Sequence, residues 1–548
     1  MKLLIVGGVA GGASAAARAR RLDEKAEIIL FERGPDVSFA NCGLPYYLGG
    51  EITDRNKLLV VTPKRMKERY RLDVRTRTQV ESIDRARKIV KVIELAAGRV
   101  YEESYDRLIL SPGAAPVRPP LPGIDHPCIQ SLRNLEDTDR IKAVIARGVK
   151  HAVVIGAGFI GLEMAEALVH QKIQTTVVEL QDQVMPLMDK EMTTPIAQTL
   201  RQHGVTLLLK DSVTAFEKVS DQSVMVVLQS GQKLPAELVI LSIGVRAENQ
   251  LAKQAGLEVG SRGGIRVNAH MQTSDPNIYG VGDAVETVDA LTGEPVQVPL
   301  AGPANRQGRI AADHAFGKAS RFRGVQGTSI VRVFHKTAAL TGATEKALQR
   351  RGINYRKIYV HPANHAGYYP GAEGMSLKLL FEPEKGKLLG AEAVGGAGVD
   401  KRIDVLAVAL QAGMTVYDLE EMELAYAPPY GSAKDPVNMA GFVAAGLLHG
   451  DHPQVQVSEL LAMPTKGRPL LLDVRTAAEY ALGHLPEAIN IPVDELRQRV
   501  SELPRDREII AYCQVGKRGY LATRLLLAAG YAVKNLGGGY RTYQQYQV

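Results

Sequence analysis

An α/β chain with two Rossmann-like dinucleotide-binding domains and a smaller α/β unit near its C-terminal end is predicted by three stretches of this sequence. The first, KLLIVGGVAGGASAAARARRL from Lys2, runs an apolar strand into a glycine turn and a helix; AEIILFERG then adds a strand ending at Glu32. The second, HAVVIGAGFIGLEMAEAL from His151, repeats the layout and is followed by QTTVVEL, which ends at Glu179. The third, EIIAYCQVGKRGYLATRLLLAAGYAVKNLGGGYRTY from Glu508, alternates strand, loop, helix, strand and glycine turn.

Size and composition agree with a multidomain globular chain. Its 548 residues exceed what one hydrophobic core can organise, and 45% are hydrophobic against 23% charged. The longest apolar candidate, MAGFVAAGLL at 439–448, is half the roughly 20 residues that a membrane span needs, so it reads as a buried helix. The opening MKLLIVGGVAGGASAAARAR mimics a signal peptide, but its glycines and immediate basic continuation favour strand, turn and helix, and a cytoplasmic chain is expected. A net charge of +8 suits an anionic small ligand. Basic residues are spread along the chain and no nucleic-acid motif occurs, which argues against nucleic acid.

The glycine turns say what the first two domains bind. Glycines let the backbone approach a pyrophosphate at a helix N-terminus, and an acid at the end of the next strand holds a ribose. The first turn has Gly7, Gly8, Gly11 and Gly12, with Val9 where the pattern's middle glycine belongs. In the second, Gly156, Gly158 and Gly161 complete the pattern, and Glu179 lies 18 residues beyond Gly161. A carboxylate there repels a 2′-phosphate, so NADH is favoured over NADPH. Two such sites imply a flavin and a nicotinamide. NIYGVGDAVE runs a strand into Asp283, placed to hold a ribityl hydroxyl, and two further strands end near Gly113 and Gly244, where the chain can cross between domains.

Together these features resemble the two-dinucleotide-binding-domain flavoprotein disulfide reductase superfamily across residues 1 to about 445. The resemblance implies FAD in the first site, the nicotinamide in the second, a homodimer and a C-terminal α+β dimerisation domain. The expected limits are 1–110 and 246–322 for the FAD-binding domain, 111–245 for the NADH-binding domain, 323–446 for dimerisation, 447–456 for a linker and 457–548 for the last domain.

Only three cysteines occur, Cys42, Cys128 and Cys513, too few for a disulfide framework and without a zinc pattern, so no metal site is expected. Cys42 stands in SFANCGLPYYLGG with no second thiol nearby, and Cys128 reads as an inert loop residue. This segment resembles the coenzyme A disulfide reductase branch, in which a lone cysteine cycles as a mixed disulfide with coenzyme A. The attacking species must be a thiolate, so a pKa lowered by a helix N-terminus or a neighbouring charge is expected. HAGYYPGAEG and LAYAPPYGSAKDPVN resemble the family's interface domain, which reaches across the homodimer to the other subunit's cysteine. Tyr368 and Tyr426 match its catalytic tyrosines, with Tyr369 and Tyr430 adjacent. By the same resemblance Arg18, Arg21, Ser38 and Asn41 are expected to bind coenzyme A, and Asn305 to face the reacting sulfur.

Residues 455–548 resemble a single rhodanese domain, with Tyr543 standing where that family often has tryptophan. A cysteine at a strand end, followed by a short loop into a helix, lets successive N–H groups curl around its sulfur. Cys513 is thus the expected sulfane-sulfur carrier, cradled by Gln514, Val515, Gly516, Lys517 and Arg518. The fusion points to NADH-dependent reduction of coenzyme A persulfide, polysulfide or disulfide with release of hydrogen sulfide. Two alternatives are an NADH oxidase or peroxidase cycling through a cysteine sulfenic acid, and a redox-sensing flavoprotein that binds a partner.

Overall fold

A computed structural model describes residues 1–464 and 467–547; Thr465, Lys466 and Val548, all within the expected last domain, lie outside the described residues. The chain divides into two units, Met1–Asp182 with His203–Val325, and Gln183–Gln202 with Gln326–Val548. No helix among the described residues is long and apolar enough to cross a membrane.

The first unit holds two all-parallel sheets. One orders Ile278–Gly280, Arg107–Leu110, Lys2–Val6, Glu27–Phe31 and Asp73–Arg75; the other orders Thr206–Leu209, Gln174–Glu179, His151–Ile155, Leu238–Leu241 and Ile129–Gln130. Their central strands are near-continuous apolar runs, as parallel strands covered on both faces must be. Three-stranded antiparallel sheets, Thr78–Asp84 to Arg99–Ser104 and Val213–Ser220 to Lys233–Ala236, accompany the two parallel sheets. The two glycines expected at domain crossings lie at opposite ends of one two-stranded ladder. Ala114–Pro116 pairs antiparallel with Val245–Ala247, Val117 N donates to Gly244 O at 3.0 Å, and Glu248 N donates to Gly113 O at 3.0 Å.

The second unit has a five-stranded antiparallel sheet ordered Ser329–Val333, Lys336–Gly342, Leu388–Gly395, Met375–Phe381 and Arg356–Val360. Helices Val399–Ala412 and Pro436–Leu448 share its apolar core. The second helix contains the expected MAGFVAAGLL segment, and Asp435 caps it by accepting from Val437 N. A parallel sheet follows, ordered Gln454–Val455, Val533–Leu536, Ile509–Tyr512, Leu470–Asp473 and Ile489–Asn490.

Two expected limits differ from this arrangement. Helix Lys190–Gln202, inside the expected 111–245 domain, joins the second unit. The reason is a buried charge cluster: the fully buried Lys378 ammonium donates to Asp189 Oδ2 at 2.7 Å, Glu191 Oε1 at 2.6 Å and Glu345 Oε2 at 2.8 Å. Residues 447–456, read as a linker, include the end of one helix and strand Gln454–Val455, paired in parallel with Val533–Leu536. Their polar, proline-bearing pattern hid a two-residue strand and the buried His452.

Candidate functional site

The dinucleotide cradles are built as the glycine pattern requires. Gly7 adopts φ +95°, and a Cβ there would lie 2.0 Å from Ser111 O; one on Gly12 would lie 1.9 Å from Gly7 O. Gly8 and Gly11 are confined less severely, with a Cβ coming 2.8 Å from a methyl of Val37 and 2.9 Å from one of Val281. In the second cradle a Cβ on Gly161 would lie 2.0 Å from Gly156 O, and Gly156 itself has φ +99°. Gly158, by contrast, faces open space, which leaves its backbone approachable by a phosphate. Each cradle ends on its acid. Glu32 accepts from Gly8 N at 2.9 Å and Gly34 N at 2.8 Å, and Glu179 accepts from Ala157 N at 2.7 Å and Gln181 N at 2.9 Å. Asp283 sits on the turn Gly282–Ala284; burial pushes its carboxyl up, with the Arg133 charge opposing. Side-chain-free glycine ridges, paired acids and a desolvated carboxylate fit two dinucleotides.

Cys42 is exposed, on a single helical turn, Asn41–Gly43, directly ahead of helix Leu44–Gly49. Its thiol departs from expectation. Burial of its surroundings pushes the pKa up, and the carboxylates of Glu163 and Asp283 push it the same way, against one backbone hydrogen bond that lowers it. Glu163 carries no sequence signal of this role; it lies on the helix of the second glycine turn and accepts from Tyr46 Oη at 3.1 Å.

The residues expected around coenzyme A differ in how the chain holds them. Ser38, in a left-handed conformation at φ 47°, donates its N–H to Gly8 O at 2.8 Å, which joins the Cys42 segment to the first glycine turn. Asn41 is exposed, with Nδ2 3.4 Å from Arg133 O. Asn305 hydrogen-bonds Ser14 and donates to Ala301 O at 2.9 Å, on a helix whose Gly308 abuts Gly11. Arg18 differs from expectation, because its guanidinium pairs with buried Asp313 at 2.6 Å, so its charge is met within the chain. Arg21 is exposed, whereas Arg20 is buried and donates to the carbonyls of Tyr70, Asp23, Glu24 and Arg71. Arg133, unremarkable in sequence, bonds Glu248 Oε1 at 2.5 Å and Pro112 O at 3.2 Å beside the crossing strands.

In the second unit Tyr368 Oη and Tyr426 Oη lie 3.3 Å apart, and the two side chains are 76% and 50% exposed, so the pair is open to an incoming group. Their mutual hydrogen bond raises the Tyr368 pKa. Tyr369 packs edge-on against His365, and Tyr430 is exposed.

Cys513 is fully buried at the end of strand Ile509–Tyr512, and the loop 513–516 leads through Gly516, at φ +94°, into helix Lys517–Ala528. The loop is locked from outside: Tyr540 N donates to Cys513 O at 2.8 Å and Arg541 N to Gln514 O at 2.9 Å. Arg475, bound to buried Asp473, donates to Gln514 Oε1 at 3.1 Å. Arg518 forms a two-pronged pair with Glu479 at 2.7 and 2.6 Å and also meets the Cys513 thiol. That pair holds the Glu479 carboxyl down at about 2. Val515 is half-buried and Lys517 is exposed, so Arg518 is the loop cation that faces the sulfur. Glu479 went unnoticed in the sequence, although TAAE, a capping box, announces its place at a helix start.

Known proteins match this architecture throughout. Residues 1–308 match the pyridine nucleotide-disulphide oxidoreductase model, 328–436 the dimerisation domain of the same family, and 456–546 the rhodanese-like domain. The coenzyme A disulfide reductase of Staphylococcus epidermidis is 39% identical over 446 residues, 81% of this chain and 99% of that protein. Reduced Bacillus anthracis CoADR-RHD superposes with a TM-score of 0.97 at 48% identity, covering 99% of this chain and 98% of that one. A NAD-dependent persulfide reductase from A. fulgidus follows at 0.93 and 38%, covering 99% and 100%. A water-forming NADH oxidase from Lactobacillus brevis gives 0.79 and 27%, covering 82% of this chain and 99% of that one. The family implies FAD and NAD(H), which the two cradles fit. This chain belongs to the pyridine nucleotide-disulphide oxidoreductase family, as a relative of the coenzyme A disulfide and persulfide reductases that carries a rhodanese-like domain.

Proposed function

We propose that this enzyme carries electrons from NADH to sulfur–sulfur bonds borne by coenzyme A, with Cys42 as the reacting thiol and Cys513 as the carrier of the outer sulfur. One observation carries the reading: Cys42 is exposed and free, and its own segment offers no thiol to pair with. Residues 7–12 with Glu32 and Asp283 would hold FAD, residues 156–161 with Glu179 would hold NADH, and the two would supply a two-electron relay.

The residues of the chain do the sulfur chemistry. The Cys42 thiolate attacks the inner sulfur of a coenzyme A persulfide, forms a mixed disulfide and releases hydrosulfide. With coenzyme A disulfide the same attack releases coenzyme A thiolate. Two electrons from NADH then return both sulfurs of the mixed disulfide to thiolates, so one NADH is consumed for each hydrosulfide released. Tyr368 and Tyr426 are the proposed proton donors to the leaving thiolate, and Ser38, Asn41, Arg21 and Asn305 the proposed neighbours of coenzyme A. The A. fulgidus protein is named a persulfide reductase, and its match over nearly the whole chain supports this substrate class.

Stopped-flow of Cys42→Ser tests the reading. Persulfide should no longer reoxidise the reduced flavin; an unchanged rate removes Cys42 from the reaction. A second reading, oxygen reduction through a sulfenic acid at Cys42, draws on the exposure of that thiol and the likeness to the L. brevis oxidase. It leaves the rhodanese-like domain without work, and oxygen uptake without added thiol measures it.

A further inference from the structure

Three arginines surround the Cys513 loop, and two have acids of their own: Arg475 pairs with Asp473 and Arg518 with Glu479. Arg541 has none among the described residues. It is anchored to the loop by its backbone, N–H to Gln514 O at 2.9 Å, while its half-buried guanidinium lies over Gly374, where a Cβ would come 3.2 Å from Nη1. Gly374 closes the loop that carries Tyr368 and bridges to Ala363. Burial pulls the Arg541 pKa down, and its charge adds to the burial that holds neighbouring His361 at about 3. A partly desolvated cation without a counter-charge is costly, and such groups concentrate where a ligand supplies the missing charge. A guanidinium fork matches phosphate oxygens two at a time. Because Arg518 already meets the sulfur of Cys513, Arg541, displaced toward Gly374, is left for a charge elsewhere on the same ligand.

We propose that Arg541 is an anion-recognition residue of the rhodanese-like domain, binding a phosphate of the carrier whose persulfide sulfur passes to Cys513. The inference rests on Cys513 as the sulfur acceptor. In that transfer the Cys513 thiolate attacks the outer sulfur of R–S–SH, a new bond forms between the two sulfurs, the S–S bond of the donor breaks, and its electron pair leaves on R–S⁻. The outer sulfur stays on Cys513 with its proton, so no net oxidation occurs.

Two donors separate recognition from architecture: coenzyme A persulfide, and pantetheine persulfide, which lacks phosphate. Sulfur label reaching Cys513 is followed by mass spectrometry in the full-length holoenzyme. Arg541→Gln should raise KM for the coenzyme A donor about tenfold, with kcat and the KM for the pantetheine donor changing less than about twofold. Arg541→Lys should recover part of the loss. An equal rise with both donors, or no rise with either, overturns the proposal while the role of Cys513 stands. If the unsubstituted enzyme labels Cys513 from neither donor, both fall together.

Discussion

Cys42 and Cys513 are prepared in opposite ways within one chain. Cys42 lies exposed on a single turn, and the acids Glu163 and Asp283 push its thiol up. Cys513 is fully buried, enclosed by a loop fixed at Tyr540 and Arg541, and met by the Arg518 guanidinium. Access and charge are thus traded between the two sites. An open thiol suits attack on a bulky carrier. A closed, cation-faced sulfur suits holding one small atom as an anion.

The largest effects should come from removing each sulfur in turn. Cys42→Ser should lower NADH-dependent coenzyme A disulfide reduction by at least about 10³-fold while leaving sulfurtransfer intact, and Cys513→Ser should do the reverse. Parallel assays of both variants check this; loss of both activities in either one merges the sites. Next in size, Arg518→Ala should reduce sulfurtransfer about 10²-fold, since it removes the cation facing Cys513 and frees the Glu479 carboxylate beside it. A smaller effect runs in the gaining direction. Glu163→Gln removes one charge that raises the Cys42 thiol, so alkylation of Cys42 at pH 7 should quicken severalfold, with the rate-against-pH curve displaced to lower pH.

The smallest effect concerns what holds the Cys513 domain in place. Burial holds His361 at about 3 and His452 at about 4, against 6.5 for a free ring. His361 bonds Ser376 and Thr542 at 2.9 and 2.8 Å; His452 lies 2.7 Å from Asn535, which donates to Gly516 O in the Cys513 loop. A depressed histidine means the unfolded state binds the extra proton. Stability from these two groups is complete above about pH 6.5 and declines as pH falls toward 4 and then 3. The double variant His361→Gln, His452→Gln should flatten the fall of melting temperature across that window.

Local chemistry was legible in the sequence and distant chemistry was not. Gly7, Gly12, Gly156 and Gly161 announce themselves because a turn with no room for Cβ is a short-range demand. The same holds for Cys513, whose loop and helix are contiguous with it. The direction of the Cys42 shift could not be read, because Glu163 and Asp283 reach it from other parts of the chain. Helix Lys190–Gln202 was assigned by sequence order to the NADH-binding domain, yet ion pairs of Asp189 and Glu191 with the buried Lys378 carry it to the second unit, and such long-range pairs leave no periodic trace. Arg18 looked like a free cation until Asp313, on a distant helix, met it.

The most direct test is the mass of the Cys42 peptide from enzyme purified without reductant, before and after NADH. A coenzyme A adduct on Cys42 that NADH removes is the predicted result. A disulfide between Cys42 and Cys128, or full turnover with Cys42 never modified, contradicts the account.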